Sequence, residues 1–478
     1  MEPLLVEDAD IRLVKELSES RAEPKWLLKQ RVEALELFEK LPQEKSPLYG
    51  KYSDIKSSDF QGIDMKNRRI PSSFTESSEE LESFLGDEQL KSLLIQVDDK
   101  VVKKTIDNED RAKGVILTDI ANALEEHPNL IKKYFLNGAL KSQDDKFVAL
   151  NHAFFNSGLF IYVPKNTSLK QPITNLFLSK TVGAGIFSRN LIVLDEGSSL
   201  KFIDESHSME GDCSDIHSLY STVTDIHLAK RSQFTYGGIQ NLGNNVINLA
   251  NKKVILDGDS RITSSQAYFG GGLTRTRLDN VLVGPNASTE DMEVILADNV
   301  QRFDMVSDLT HESTSTRGTV MLRGVLMNKS KGIFKGMIRI GKDAEGAEAY
   351  LEEHAMLLTK GAMANAIPGL EIETNDVKAT HSASVALVEE EEIFYLMSRG
   401  LDKDEARKMV VLAFIEPIIR RIPSPNVRHR IWYLFELKWR KDKGLKLRPE
   451  DMVLLDGDFE ETERSGPQEF FDRHYKYA

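Results

Sequence analysis

From about Phe147 to Val388 the chain is a procession of short apolar runs separated by turn residues, and it almost never carries the period of a helix. Leu191–Leu194, Lys201–Ile203, Phe234–Tyr236, Val254–Leu256, Val281–Val283, Met292–Ile295 and Ile333–Ile340 are such runs. Breaks rich in Asn, Gly, Asp and Ser fall between them, as at Asp195–Ser199, Gly243–Asn245 and Asp257–Ser260. No helical crossovers of about 10–15 residues alternate with these runs, which argues against a doubly wound α/β sheet. A sandwich, a barrel or a coiled stack of strands remain. The region is long for one sandwich, and a parallel β-helix is preferred because each rung needs only a short strand and a turn. No fixed-period repeat can be counted.

The flanks read as helical. Before the β body, Glu23-Pro24-Lys25-Trp26 opens a helix, with Pro24 suited to a first turn whose N–H has no partner. Leu94–Ile106 alternates as a strand, and Thr118 opens a second helix. Residues 46–78, rich in Ser, Gly, Asp and Pro, read as a flexible connection. After the β body, Glu389–Glu392 place negative charge at a helix start, which the helix dipole favours. Gly400 ends that helix, Asp402 with Glu405 makes a capping box for the next, and Pro417 kinks or ends it. A third helix is expected over Val427–Arg440. The expected architecture is mainly β, a right-handed parallel β-helix core over 146–388. An N-terminal α/β region covers 1–145 and a C-terminal helical domain covers 389–478.

Composition narrows the function. The net charge is −13, which disfavours nonspecific binding to nucleic acid or to an anionic membrane. No run reaches the length of a membrane span, and the N-terminus lacks the pattern of a secretory signal. A single cysteine, Cys213, forbids an internal disulfide and fits a reducing, cytoplasmic setting. The segment 426–448 holds eight basic and two acidic residues, whereas 449–478 holds nine acidic and three basic. Such blocks are usually solvated faces, and the acidic tail is read as screening the basic helix.

Three stretches resemble one family: KFVALNHAFFNSGLFIYVPKNTSLKQPI (Lys146–Ile173), RGVLMNKSKGIFKGMIRI (Arg323–Ile340) and LEIETNDVKATHSASVALVEEEEIFYLMSRGLDKDEARKMVVLAF (Leu370–Phe414). With EPKWLLKQRVEAL near the start, they resemble the SufB/SufD family of iron–sulfur cluster assembly scaffolds. The resemblance spans roughly Arg21 to Pro423. It implies the right-handed β-helix, pairing of two such cores through their β-helices, and a nascent cluster held transiently at their interface, with no cofactor bound stably. It also implies that the C-terminal hairpin docks an ABC-type ATPase, SufC. Family members that carry the cluster use a late cysteine and a later His-Glu pair. Here Ala362 stands about where the cysteine falls, the pair reads His381-Ser382, and Ala379 stands where SufD members often have a cysteine. The chain therefore resembles SufD more than SufB.

Several residues bear chemistry. A neutral imidazole such as His381 can ligate iron, and Glu373 and Asp376 lie nearby in sequence. Set against this, a lone histidine is commonly packed and bonded to backbone. Cys213 and His217 have a metal-like spacing but no second ligand pair, so a plain loop thiol is preferred. A hairpin appended to a β-helix end has little body to hide against, so a partner is expected to cover part of it. The residues assigned to that contact are Glu391, Glu392, Ile393, Phe394, Tyr395, Arg399, Gly400, Met409 and Phe414. No P-loop occurs, so ATP hydrolysis falls to another subunit and the chain is read as a non-catalytic scaffold. Two alternatives stand beside this reading. One is a SufB-type cluster-building core of a minimal system. The other is a β-helix carbohydrate-active enzyme using Glu290, Asp291, Asp304 or Asp308.

Overall fold

The computed structural model describes residues 6, 9–44, 52–65, 90–208, 216–422 and 425–441. It comprises two compact units, 1–423 and 424–478, each taken by itself. The first unit is a parallel β-solenoid of about eight turns. Its strands are β4 (Leu159–Val163), β5 (Ile173–Ser179), β6 (Gly185–Leu194), β7 (Ser199–Ser208), β8 (Ser218–Leu228), β9 (Gln233–Asn241), β10 (Val246–Leu256) and β11 (Arg261–Tyr268). They continue as β12 (Leu273–Leu282), β13 (Ser288–Ala297), β14 (Arg302–His311), β15 (Arg317–Leu326), β16 (Lys331–Ile340), β17 (Ala347–Leu357), β18 (Met363–Ile372) and β19 (Val377–Leu387). Odd strands stack in one sheet and even strands in the other. Two antiparallel additions finish the N-terminal end. A hairpin of β1 (Ser92–Val97) and β2 (Lys100–Thr105) caps the odd sheet, and β3 (Ile116–Asp119) caps the even one.

Many strands run to ten or eleven residues, longer than their apolar runs suggest. The reason lies in the lumen. Alternation along a strand sends every second side chain inward. One luminal column is apolar and includes Leu200, Phe202, Phe234, Val254, Leu278, Leu309, Val320 and Leu351. A second, towards the other edge, includes Tyr268, Ile295, Met305, Leu326 and Phe334. Between them the inward positions are polar. Lys252 Nζ donates to Gln266 Oε1 at 2.8 Å, Tyr236 Oη to Asp204 at 2.6 Å and Ser307 Oγ to Glu293 at 3.2 Å. Asp204, Tyr220, Tyr236, Lys252, Gln266 and Tyr268 line an internal cavity of about 70 Å³. A polar midsection flanked by apolar ends makes a long strand read as two short fragments.

Corners make the coil possible. At one corner of successive turns stands a residue with positive φ: Asn166, Gly197, Arg231, Asp259, Asn286, Ser315 and Gly346. Each is followed by a small, buried residue: Thr167, Ser198, Ser232, Ser260, Ala287, Thr316 and Ala347. The left-handed conformation turns the chain, and the small side chain fits beneath the next turn.

Helices cover the first turns. They are α1 (Ile11–Ser20), α2 (Lys25–Lys40), α3 (Asn108–Ala112), α4 (Ile120–Glu126), α5 (Pro128–Leu136) and α6 (Lys146–Phe154). Helix α6 corrects the expectation that the β body starts at Lys146. The Asp145 carboxylate accepts from Phe147 N–H at 2.8 Å and starts a helix that is buried on every side from Phe147 to Phe154, so it shows no amphipathic period. The 94–106 segment is likewise two strands, reversed at Asp98 (φ 52°), and Thr118 lies in β3, just before α4 begins. Pro24 stands at the N-cap of α2, one residue before the first turn in which the sequence places it. Of residues 46–78, only 52–65 are described; they hold a short turn at Ser57–Phe60 and bury Ile55 and Ile63.

Ion pairs fasten this cover. Arg31, wholly buried, pairs with Glu23 at 2.6 Å, donates to the carbonyls of Ala153 and Phe155 at 3.0 Å each, and lies 3.7 Å over the Phe155 ring. On the outer face of the even sheet Lys335 meets Asp304 at 2.8 Å and Arg275 meets Asp145 at 2.5 Å, while Glu44 pairs with Arg277. Such buried pairs are held by geometry more than by net attraction, and losing one partner is costly.

The second unit contributes α9 (Pro425–Lys441). Val427, Ile431, Trp432, Phe435 and Trp439 form its buried stripe, with Phe435 and Trp439 stacked at 5.7 Å. The acidic tail lies outside the described residues.

Candidate functional site

The solenoid's last turn is built unlike the others. Among the described residues, β18 and β19 each have a neighbouring strand on one side only. None of their residues is fully buried, and Met363, Leu370, Ile372, Val385 and Leu387 are exposed. An unpaired strand edge with apolar side chains is a template for another chain.

His381 sits on β19, exposed, in register with Leu351 of β17. Ala379 packs against the luminal column, so alternation turns His381 to the same inner face at the open mouth of the lumen. Ala362 is buried at the corner before β18. Glu373 and Asp376 lie exposed in the corner between β18 and β19. Sequence reasoning missed Glu353 of β17, whose ladder partner is Ala383, two residues beyond His381. It is 1% exposed and accepts from Ile367 N–H across the lumen at 3.0 Å. Burial pushes its carboxyl up to about 8, with the Ile367 hydrogen bond pulling the other way. Among the described residues, no three His, Cys, Asp or Glu side chains converge as a metal-ligand set. Cys213 lies outside the described residues.

The acids weighed for sugar chemistry do not share a groove. Asp291 points into the lumen and accepts from Asn280 at 2.5 Å. Glu290 faces outward and pairs with Arg261 and Arg421. Asp304 and Asp308 lie on the outer face of the other sheet, with Lys335 and Arg339.

Beyond β19 comes a hairpin of α7 (Glu390–Ser398) and α8 (Lys403–Ile419). Gly400, at φ 101°, and the Asp402/Glu405 capping box make its turn as the sequence indicates. Pro417 lies inside α8, which ends two residues later. The apolar side chains divide into two sets. Ile393, Ala406, Val411 and Ile415 are buried and hold the hairpin in place. Phe394 is 71% exposed and Tyr395 57%, and Met397 and Met409 are also exposed. Ile393 therefore supports the exposed surface from beneath, Phe414 lies half-buried at the base, and Met397 joins the surface though the sequence reading left it out. Glu391, Glu392, Arg399 and Gly400 are exposed around it, and Arg399 donates to Tyr395 Oη at 3.2 Å. Glu390 pairs with Lys403 and Arg407, which ties the two helices together.

No helix among the described residues is long and apolar enough to cross a membrane. Residues 177–414 match the family described as the SUF system FeS cluster assembly SufBD core domain, and residues 15–174 match the SufBD protein N-terminal region. An iron-sulfur cluster assembly SufBD family protein of Staphylococcus haemolyticus is 31% identical over 423 residues, covering 86% of this chain and 89% of that one. Proteins of the same description from Staphylococcus epidermidis and Staphylococcus aureus are each 32% identical, with the same coverage. Matched along nearly its whole solenoid and its N-terminal cover, the chain belongs to the SufBD family of iron–sulfur cluster assembly proteins.

Proposed function

We propose that this chain is a non-catalytic scaffold subunit of a cytoplasmic SUF-type assembly complex. It pairs through the bare β18/β19 end with a SufB-like paralogue or with a second copy of itself. It docks the SufC ATPase on Phe394, Tyr395, Met397 and Met409, with Glu391, Glu392 and Arg399 as the polar rim. The cluster is cargo, assembled transiently at the paired ends, where His381 offers an imidazole and the partner supplies further ligands. The single observation that supports docking most is the separation of the hairpin's apolar side chains into a buried set and an exposed set. A hairpin serving only its own fold would bury both.

Co-purification tests the docking. Phe394→Asp or Met409→Asp leaves the chain folded and removes SufC from the complex; a variant that holds SufC normally overturns the assignment. Ala362 and Ala379, which put no thiol at those two positions, support the SufD-like role. Anaerobic reconstitution with iron and sulfide separates it from the SufB-type reading. A stable cluster on the isolated chain, lost in His381→Ala, would establish the SufB-type core instead.

A further inference from the structure

The hairpin meets the solenoid at a narrow base. Helix α7 packs on α8, and α8 packs on β13 and β15. Pro417 has no N–H to give the Ala413 carbonyl one turn back, next to Phe414. There Arg323 of β15 donates through Nη1 to the Phe414 carbonyl at 2.6 Å, and its guanidinium lies 5.3 Å over the Phe414 ring. Its Nη2 donates to Glu352 of β17 at 3.2 Å. Glu352 lies 3.6 Å from His354 Nε2. His354 Nδ1 lies 2.6 Å from Ser384 Oγ, and its Nε2 lies 3.3 Å from Ser382 Oγ. Both serines stand on β19, on the face opposite His381. Polar contacts thus run unbroken from the base of the hairpin to the edge strand, crossing two ladder steps of one sheet.

We propose that Arg323 is a positioning residue that couples the hairpin to β19, so that force on the exposed helices reaches the strand carrying His381. The coupling has a two-state element, as such coupling requires. His354 Nε2 has two partners within reach, Ser382 and Glu352. When Arg323 follows a shift of α8 it releases Glu352 Oε1, while Tyr350 Oη keeps its bond to Oε2; the imidazole turns to the vacated Oε1, and Ser382 loses its bond. Arg323 suits the role because a guanidinium binds two acceptors in a fixed fork, which a lysine cannot do. The proposal rests on the docking reading for its trigger and on this line of polar contacts alone for its geometry.

Hydrogen exchange on the full chain tests it, first without any partner. Arg323→Met speeds exchange of the β19 amides about three- to tenfold, the size expected from losing a charge-assisted bond. Arg323→Lys falls between it and the wild type. Ser384→Ala, at the far end, speeds exchange in α8 around Phe414, since coupling is reciprocal. Arg421→Met, which removes a different contact near the base, to Glu290, leaves β19 unchanged. Unchanged β19 exchange in Arg323→Met, or an equal rise everywhere, overturns the proposal. A second arm adds SufC and ATP. The wild type changes protection at β19, and Arg323→Met binds SufC equally yet shows no such change. If SufC fails to bind the wild type, the docking reading falls, while the isolated-chain result still decides the coupling.

Discussion

At its N-terminal end the solenoid finishes in β2 and β3, and at its C-terminal end in β18 and β19. The first pair is antiparallel to its neighbours, and β2 carries Lys100, Lys103 and Lys104 along its edge. Lysines on an edge strand deter pairing with another chain. Helices α1 to α6 then cover these turns. The last two strands continue the parallel ladder and stop, with Leu370, Ile372, Val385 and Leu387 exposed. Buried ionisable groups follow the same division. At the covered end Arg31 has a carboxylate and two carbonyls. At the bare end Glu353 accepts one backbone N–H among the described residues. One end is finished as a monomer surface, and the other leaves its strand edge and apolar side chains open.

Removing Glu23 should break the covered end with the largest effect. Glu23→Ala leaves the Arg31 guanidinium buried without its carboxylate, at a cost of about 3–5 kcal/mol. Urea midpoints should fall accordingly. A loss below about 1 kcal/mol would mean that the carbonyls and the Phe155 ring hold Arg31 alone.

Glu353→Gln should act in the opposite direction at the bare end, and only above acidic pH. The folded carboxyl titrates near 8, above its usual 4.5. Its favourable contribution is therefore complete below about pH 4.5, is lost as pH rises towards 8, and stays lost above that. Glutamine cannot ionise, so the variant should match the wild type at pH 5 and exceed it by about 3 kcal/mol at pH 8. Urea unfolding at the two pH values checks this. Equal differences at both would show that Glu353 ionises without penalty.

Val385→Lys sharpens the comparison by giving the bare edge the device that β2 already has. Pairing with a paralogue or with itself should weaken about 30-fold, read by analytical ultracentrifugation, which corresponds to about 2 kcal/mol. Monomer stability should stay within about 0.5 kcal/mol, because the site is exposed. Unchanged pairing would move the interface elsewhere.

The sequence made the mainly β class and the hairpin with its capping box legible, because each has a local signal. His381 was visible as a ligand type, but Glu353, Arg323 and His354 were not. Their roles come from ladder neighbours about thirty residues away, as with the 30-residue separation of His354 and Ser384. The period was also hidden, and for a physical reason. The ladder steps 34 residues from Asn190 to Thr224, 29 from Asn175 to Asp204, and only 26 (273 − 247) from Ile247 to Leu273. A coil tolerates loops of varied length at one corner provided the other keeps its geometry.

That fixed corner carries a test of its own, with the smallest effects. Gly346 sits at φ 70° with no atom within 3.4 Å of where a Cβ would stand, so Gly346→Ala meets no clash and only the left-handed penalty. It should cost about 1 kcal/mol. Ser315, one turn earlier at φ 56°, already carries that penalty, and Ser315→Gly should recover about 0.5 kcal/mol once the greater freedom of the unfolded chain is deducted. Opposite signs at adjacent turns, measured by thermal unfolding, would show that the corner conformation defines the repeat. If both substitutions were neutral, the small buried residues after each corner, such as Thr316 and Ala347, would carry the repeat instead, and exchanging Thr316 for leucine would then be the more damaging change.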